Sequence, residues 1–147
     1  MSESEKKRYI KNISIIIEYL DKVVVDSTNQ LDLHKNSNPM FSALFIDPHK
    51  LRLTIAEQCK ENLTLVLEVL NTEVEAINID EPTLLFLNEQ RKFVPGKFMT
   101  EVLSIRDSFK TLLPTERLLQ NNKRVVLFED CVKRLNSVYS NIHKVIK

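Results

Sequence analysis

One glycine in 147 residues, Gly96, constrains this chain more than any other feature of its sequence. Strand-rich folds use glycine at turns that require positive φ, and nucleotide sites use it where backbone must approach phosphate. A chain this poor in glycine cannot contain a GxGxxG or Walker A loop. What it can build from its 43% apolar residues is helix. That apolar fraction is enough to offset chain entropy, so a folded single domain over 1–147 is expected.

The apolar spacing agrees. Ile10, Ile13, Ile17, Leu20 and Val24 recur at intervals of three and four, and Tyr9, Ile16 and Val23 form a second column beside them. Two adjacent columns make a broad face, suited to a bundle rather than a two-stranded seam. Ser2 followed by Glu5 is a capping box, so this helix is predicted from Ser2 to Asp26. The next stretch, 27–46, is polar and aperiodic before it turns apolar at MFSALF. It reads as a long connection of a kind that is often mobile, with a short helical turn opened by Asn38-Pro39 and joining helices that run the same way.

Asp47-Pro48 reads as the start of a second long helix to about Asn78, carrying Ile55, Cys59, Leu63, Val66, Leu70, Val74 and Ile77. A shorter segment is predicted from Asp80-Glu81-Pro82 to about Phe93, closed by Pro95-Gly96. Phe98, Val102, Ile105, Phe109 and Leu112 mark the next helix, and Leu113-Pro114-Thr115 is expected to end it and start the final helix, with Asn121-Asn122 as a candidate interruption. The final helix has the clearest rhythm: Val125, Phe128, Val132, Leu135, Tyr139, Ile142 and Ile146, with Cys131, Val138 and Val145 as a neighbouring column. The fold class is therefore all-α, a bundle of four main helices plus one shorter segment with a long first connection.

Catalytic chemistry finds little support. His34, His49 and His143 are scattered, with no HExxH, CxxC or ExxH motif. Cys131 and His143 lie twelve residues apart on one helix, about 18 Å at 1.5 Å per residue, too far for a nucleophile–base pair. Cys59 and Cys131 fall on apolar helical positions and read as free, buried side chains. The sequons at Asn12 and Asn62 lie within helical patterns and read as helix, not as glycosylation sites. No enzyme activity, cofactor or metal is expected. The charged first dozen residues do not resemble a secretory signal, and no apolar run approaches the ~20 residues of a membrane span. A cytoplasmic or nuclear protein with no membrane insertion is the expectation.

Two features point to surfaces. Residues 1–90 hold nine Lys/Arg and fifteen Asp/Glu, a net of −6, whereas 91–147 hold twelve and five, a net of +7. On the final helix Lys123, Lys133, Arg134, Lys144 and Lys147 are predicted to lie opposite the apolar columns, a candidate surface for an anionic partner. On the first helix Ile15 and Tyr19 sit four residues apart outside the main apolar face, a candidate protein interface. The function expected is a non-enzymatic interaction subunit or adaptor of a larger intracellular assembly, its partner one or more proteins. The alternative is a nucleic-acid-binding protein using the basic third, 91–147, against which stands the lack of any aromatic interleave or groove-reading motif.

Overall fold

The computed structural model describes residues 1–35, 39–73 and 95–146. Every regular element among them is helical: α1 (Glu3–His34), α2 (Pro39–Glu73), α3 (Phe98–Leu118, entered through a 3-10 turn at Pro95–Lys97) and α4 (Asn122–Ile142). The all-α bundle predicted from spacing is the fold.

The polar contacts between helices give the topology. Lys60 meets Asp21 at 2.6 Å and Arg52 meets Asp26 at 2.9 Å, so α1 and α2 are antiparallel. Between α2 and α4, Arg52 donates to the Val145 carbonyl at 3.5 Å, Arg134 to Asn62 at 2.9 Å and Arg124 to Glu73 at 2.6 Å. Residue numbers rise on one helix as they fall on the other, again antiparallel. Tyr9–Ser108 at 2.7 Å and Asn12–Glu101 at 2.8 Å pair α1 with α3 in the same sense. Arg117–Glu129 at 2.9 Å and Arg106–Asn136 at 3.0 Å do so for α3 and α4.

Every neighbouring pair is thus antiparallel, while α2 and α3 run the same way. The consecutive helices that run the same way are therefore α2 and α3, not α1 and α2. Residues 74–94 between them, with the predicted shorter segment at 80–93 and the second helix's predicted extension to Asn78, lie outside the described residues.

The core is one continuous stripe per helix. On α1 it comprises Tyr9, Ile13, Ile16, Leu20, Val23 and Ser27. On α4 and just past its end it comprises Phe128, Cys131, Leu135, Val138, Ile142 and Val145. In both helices this line runs between the two columns predicted from sequence. Ile10, Ile17 and Val24, and likewise Val125, Val132, Tyr139 and Ile146, are only partly buried against it. Phe109 and Phe128, ring centroids 5.3 Å apart, join α3 to α4 at its centre.

Two expectations are corrected. The connection predicted over 27–46 is mostly helix, since α1 continues to His34 and α2 begins at Pro39. Beyond Asp26 only Ser27 is buried on α1, and its remaining turns to His34 are exposed or half-buried, so the apolar signal thins out although the helix continues. The break predicted at Leu113-Pro114 falls instead at 119–121, because α3 runs through Pro114. Leu113 and Glu116 are both buried and continue the inward line across the proline, whose ring faces outward.

Candidate protein-interaction surface

Among the described residues, eight large apolar side chains are exposed. Val25, Leu33, Leu44 and Leu51 lie along the α1–α2 hairpin; Leu118, Leu119, Val126 and Leu127 flank the α3–α4 turn. The second group is built by the turn itself. The Asn121 N–H bonds the Glu116 carbonyl at 3.0 Å and the Gln120 N–H bonds the Arg117 carbonyl at 3.1 Å, with Gln120 at φ 55°. This is a Schellman closure with glutamine where glycine is usual. It stops α3 and points Leu118 and Leu119 outward, 83% and 69% exposed. Immediately afterwards, Asn122, Lys123, Val126 and Leu127 line a shallow hollow at the start of α4.

The sequence carried a signal for this patch. Val125-Val126-Leu127-Phe128 is a run of four apolar residues in a helix. Only one side of a helix faces inward, and here Phe128 and Val125 take that side. Val126 and Leu127 must then face out.

The residues singled out from sequence fare differently. Ile15 and Tyr19 are half-buried and packed against the core, and the Tyr19 ring meets Phe98 edge-on at 5.2 Å. The pair sits where α3 begins and is largely covered from within the chain. Of the basic residues, Lys123, Lys133 and Lys144 are exposed. Arg134 turns toward α2, bonding Asp130 at 2.7 Å and Asn62 at 2.9 Å. Lys144 reaches Asn141 at 3.3 Å, and Lys147 lies outside the described residues. Asn12, held by Glu101, and Asn62, held by Arg134, are engaged as helix residues.

Below the patch, Arg124 closes the end of the bundle. Its guanidinium donates to Glu73 at 2.6 Å and Glu116 at 2.9 Å and lies 4.8 Å from the Phe128 ring centre. Partial burial works against its charge, but the two carboxylates outweigh this and raise its pKa. Lys6 adds a bond to the Glu73 carbonyl at 3.1 Å, so one network touches all four helices.

His34 and His49 stack with centroids 6.4 Å apart, but no group of three or more His, Cys, Asp or Glu residues is placed to hold a metal among the described residues. Both thiols are free and buried, and burial pushes Cys59 up to about 11 and Cys131 to about 12, well away from a reactive thiolate. Among the described residues no helix is long and apolar enough to cross a membrane. Comparison with protein-family models, with curated proteins and with solved structures finds no match.

Proposed function

We propose that this chain is a non-enzymatic protein–protein interaction subunit, an adaptor within a larger cytoplasmic or nuclear assembly. The observation that carries the reading is the apolar end of the α3–α4 hairpin. Leu118, Leu119, Val126 and Leu127 are exposed together beside a turn that is fixed by backbone bonds and a charge network. Concentrated exposed apolar surface on a well-packed protein supports a partner-binding role. A rigid base beneath it lowers the ordering cost of binding.

The test is affinity purification of the tagged chain from its native cells, with and without nuclease, beside a Leu118→Ser/Leu119→Ser/Val126→Ser variant. The expected result is a stoichiometric protein set that survives nuclease and is lost from the variant, while the variant's melting temperature stays within a few degrees of wild type. Recovery that disappears with nuclease, or recovery equal on both chains, would overturn the reading.

A further inference from the structure

Resting on that reading, we infer that the outer face of α4 beside the turn takes an acidic amphipathic helix of a partner protein. The inference starts from which charges remain uncommitted. Each acid around the patch is already matched: Glu129 by Arg117 at 2.9 Å, Asp130 by Arg134 at 2.7 Å, and Glu116 by Arg124 at 2.9 Å. Lys123 and Lys133 are exposed and form no ion pair among the described residues. The open charge on this face is therefore positive, and it brackets the apolar pair.

Helical geometry places these groups on one side. Lys123 precedes Val126 by three residues and Leu127 by four, and Val126 precedes Lys133 by seven, two turns along the same face. The two ammonium groups are thus based about 15 Å apart with the apolar side chains between them. A helix laid along α4 repeats its own side chains at that interval. It can set leucine-type residues on Val126 and Leu127 while carboxylates one to two turns away meet each lysine.

Other occupants fit less well. A phosphate backbone would engage the lysines but leave Val126 and Leu127 against a polar surface. A second copy would have to offer an acidic helical face. The acidic faces around Val25 on α1 and Leu65 on α2 each carry a lysine of their own, Lys22 beside Glu18 and Lys60 beside Glu57 and Glu61. Asp21 and Asp26 are already paired with Lys60 at 2.6 Å and Arg52 at 2.9 Å.

The experiment is a displayed library of helical peptides, about 18 residues or five turns long. Leucines are fixed at i, i+3, i+4 and i+7, and each flanking position is randomised between Glu and Lys. Selection on the wild-type chain is expected to enrich Glu at the flanks about tenfold over Lys. Binding should be lost on a Val126→Ser/Leu127→Ser chain whose circular dichroism is unchanged. The preference should reverse toward Lys on a Lys123→Glu/Lys133→Glu chain. No enrichment, enrichment of Lys on the wild type, or equal recovery on the Ser variant overturns the inference. If native purification still yields a set lost from the patch variant while the library yields nothing, the adaptor reading stands and the acidic helix does not.

Discussion

Cys59 and Cys131 are 2% and 1% exposed, and that burial decides what their thiols can do. Desolvation disfavours the thiolate, holding Cys59 near 11 and Cys131 near 12, the latter with a further push from Asp130. Unfolded thiols titrate near ~8.5. A group whose pKa is raised by folding is stabilising while protonated, so the contribution is complete below the unfolded value. It is lost as pH rises from ~8.5 toward the folded values. Wild type should therefore lose stability above about pH 9 more steeply than a Cys59→Ala/Cys131→Ala chain, in urea titrations at pH 7 to 10.5. Parallel curves would show that the thiols are not held protonated. Both positions were legible from spacing alone, because cysteine in an apolar helical column is usually a small buried hydrophobe. Ile15 and Tyr19 were not. The contact of Tyr19 with Phe98 joins residues 79 apart in sequence, and no periodicity on α1 encodes it.

At the scale of the helix, the capping signal at Ser2 proved reliable, since its hydroxyl oxygen accepts the Glu5 N–H at 3.1 Å. Prolines misled for a physical reason. Asp47-Pro48 and Leu113-Pro114 look like boundaries because proline lacks an N–H and crowds the preceding turn. In the structure both lie inside helices. At Pro114 the inward positions on either side, Leu113 and Glu116, hold α3 against its neighbours and offset the lost bond to the Lys110 carbonyl. The buried line of α1 draws on both predicted columns, and spacing alone could not tell fully buried Ile13, Ile16 and Leu20 from partly buried Ile10, Ile17 and Val24. The hydrogen bond that Pro114 cannot make should be recoverable. Pro114 is exposed, so Pro114→Ala removes no core contact and restores an N–H to the helix. Chemical denaturation should show a gain of about 1–3 kcal/mol, below the full helix-interior cost because alanine also loosens the unfolded chain. A loss of stability would mean that α3 does not continue through this residue, and the boundary predicted from sequence would be restored.

Across the whole molecule the charge split predicted from sequence is only partly a property of the bundle. Residues 1–35 and 39–73 hold nine Lys/Arg and eleven Asp/Glu, a net of −2, and residues 95–146 hold nine and five, a net of +4. Much of the acidic excess belongs to Glu75, Asp80, Glu81 and Glu89, between α2 and α3. The α3–α4 hairpin is therefore modestly basic, and its basic groups are unequally available. Arg106, Arg117, Arg124 and Arg134 are engaged within the chain, while Lys123, Lys133 and Lys144 are exposed along α4. Three lysines contacting duplex phosphates would give a salt slope of about −2.7, so affinity would drop roughly 40-fold between 50 and 200 mM salt. A site of that size has no aromatic platform to stack on bases and no groove-reading element to add affinity. The expected result in fluorescence anisotropy is weak binding of duplex and single strand at low salt, with half-saturation beyond ~100 µM at physiological ionic strength. Lys123→Glu/Lys133→Glu/Lys144→Glu should abolish even the low-salt signal without moving the melting temperature, because none of the three packs in the core; Arg134 is left intact because its bonds to Asp130 and Asn62 join α4 to α2. Wild-type binding tighter than ~10 µM at physiological salt, lost in the triple variant, would exceed what three phosphate contacts supply. The basic hairpin would then be a nucleic-acid interface, and the adaptor reading would give way to it.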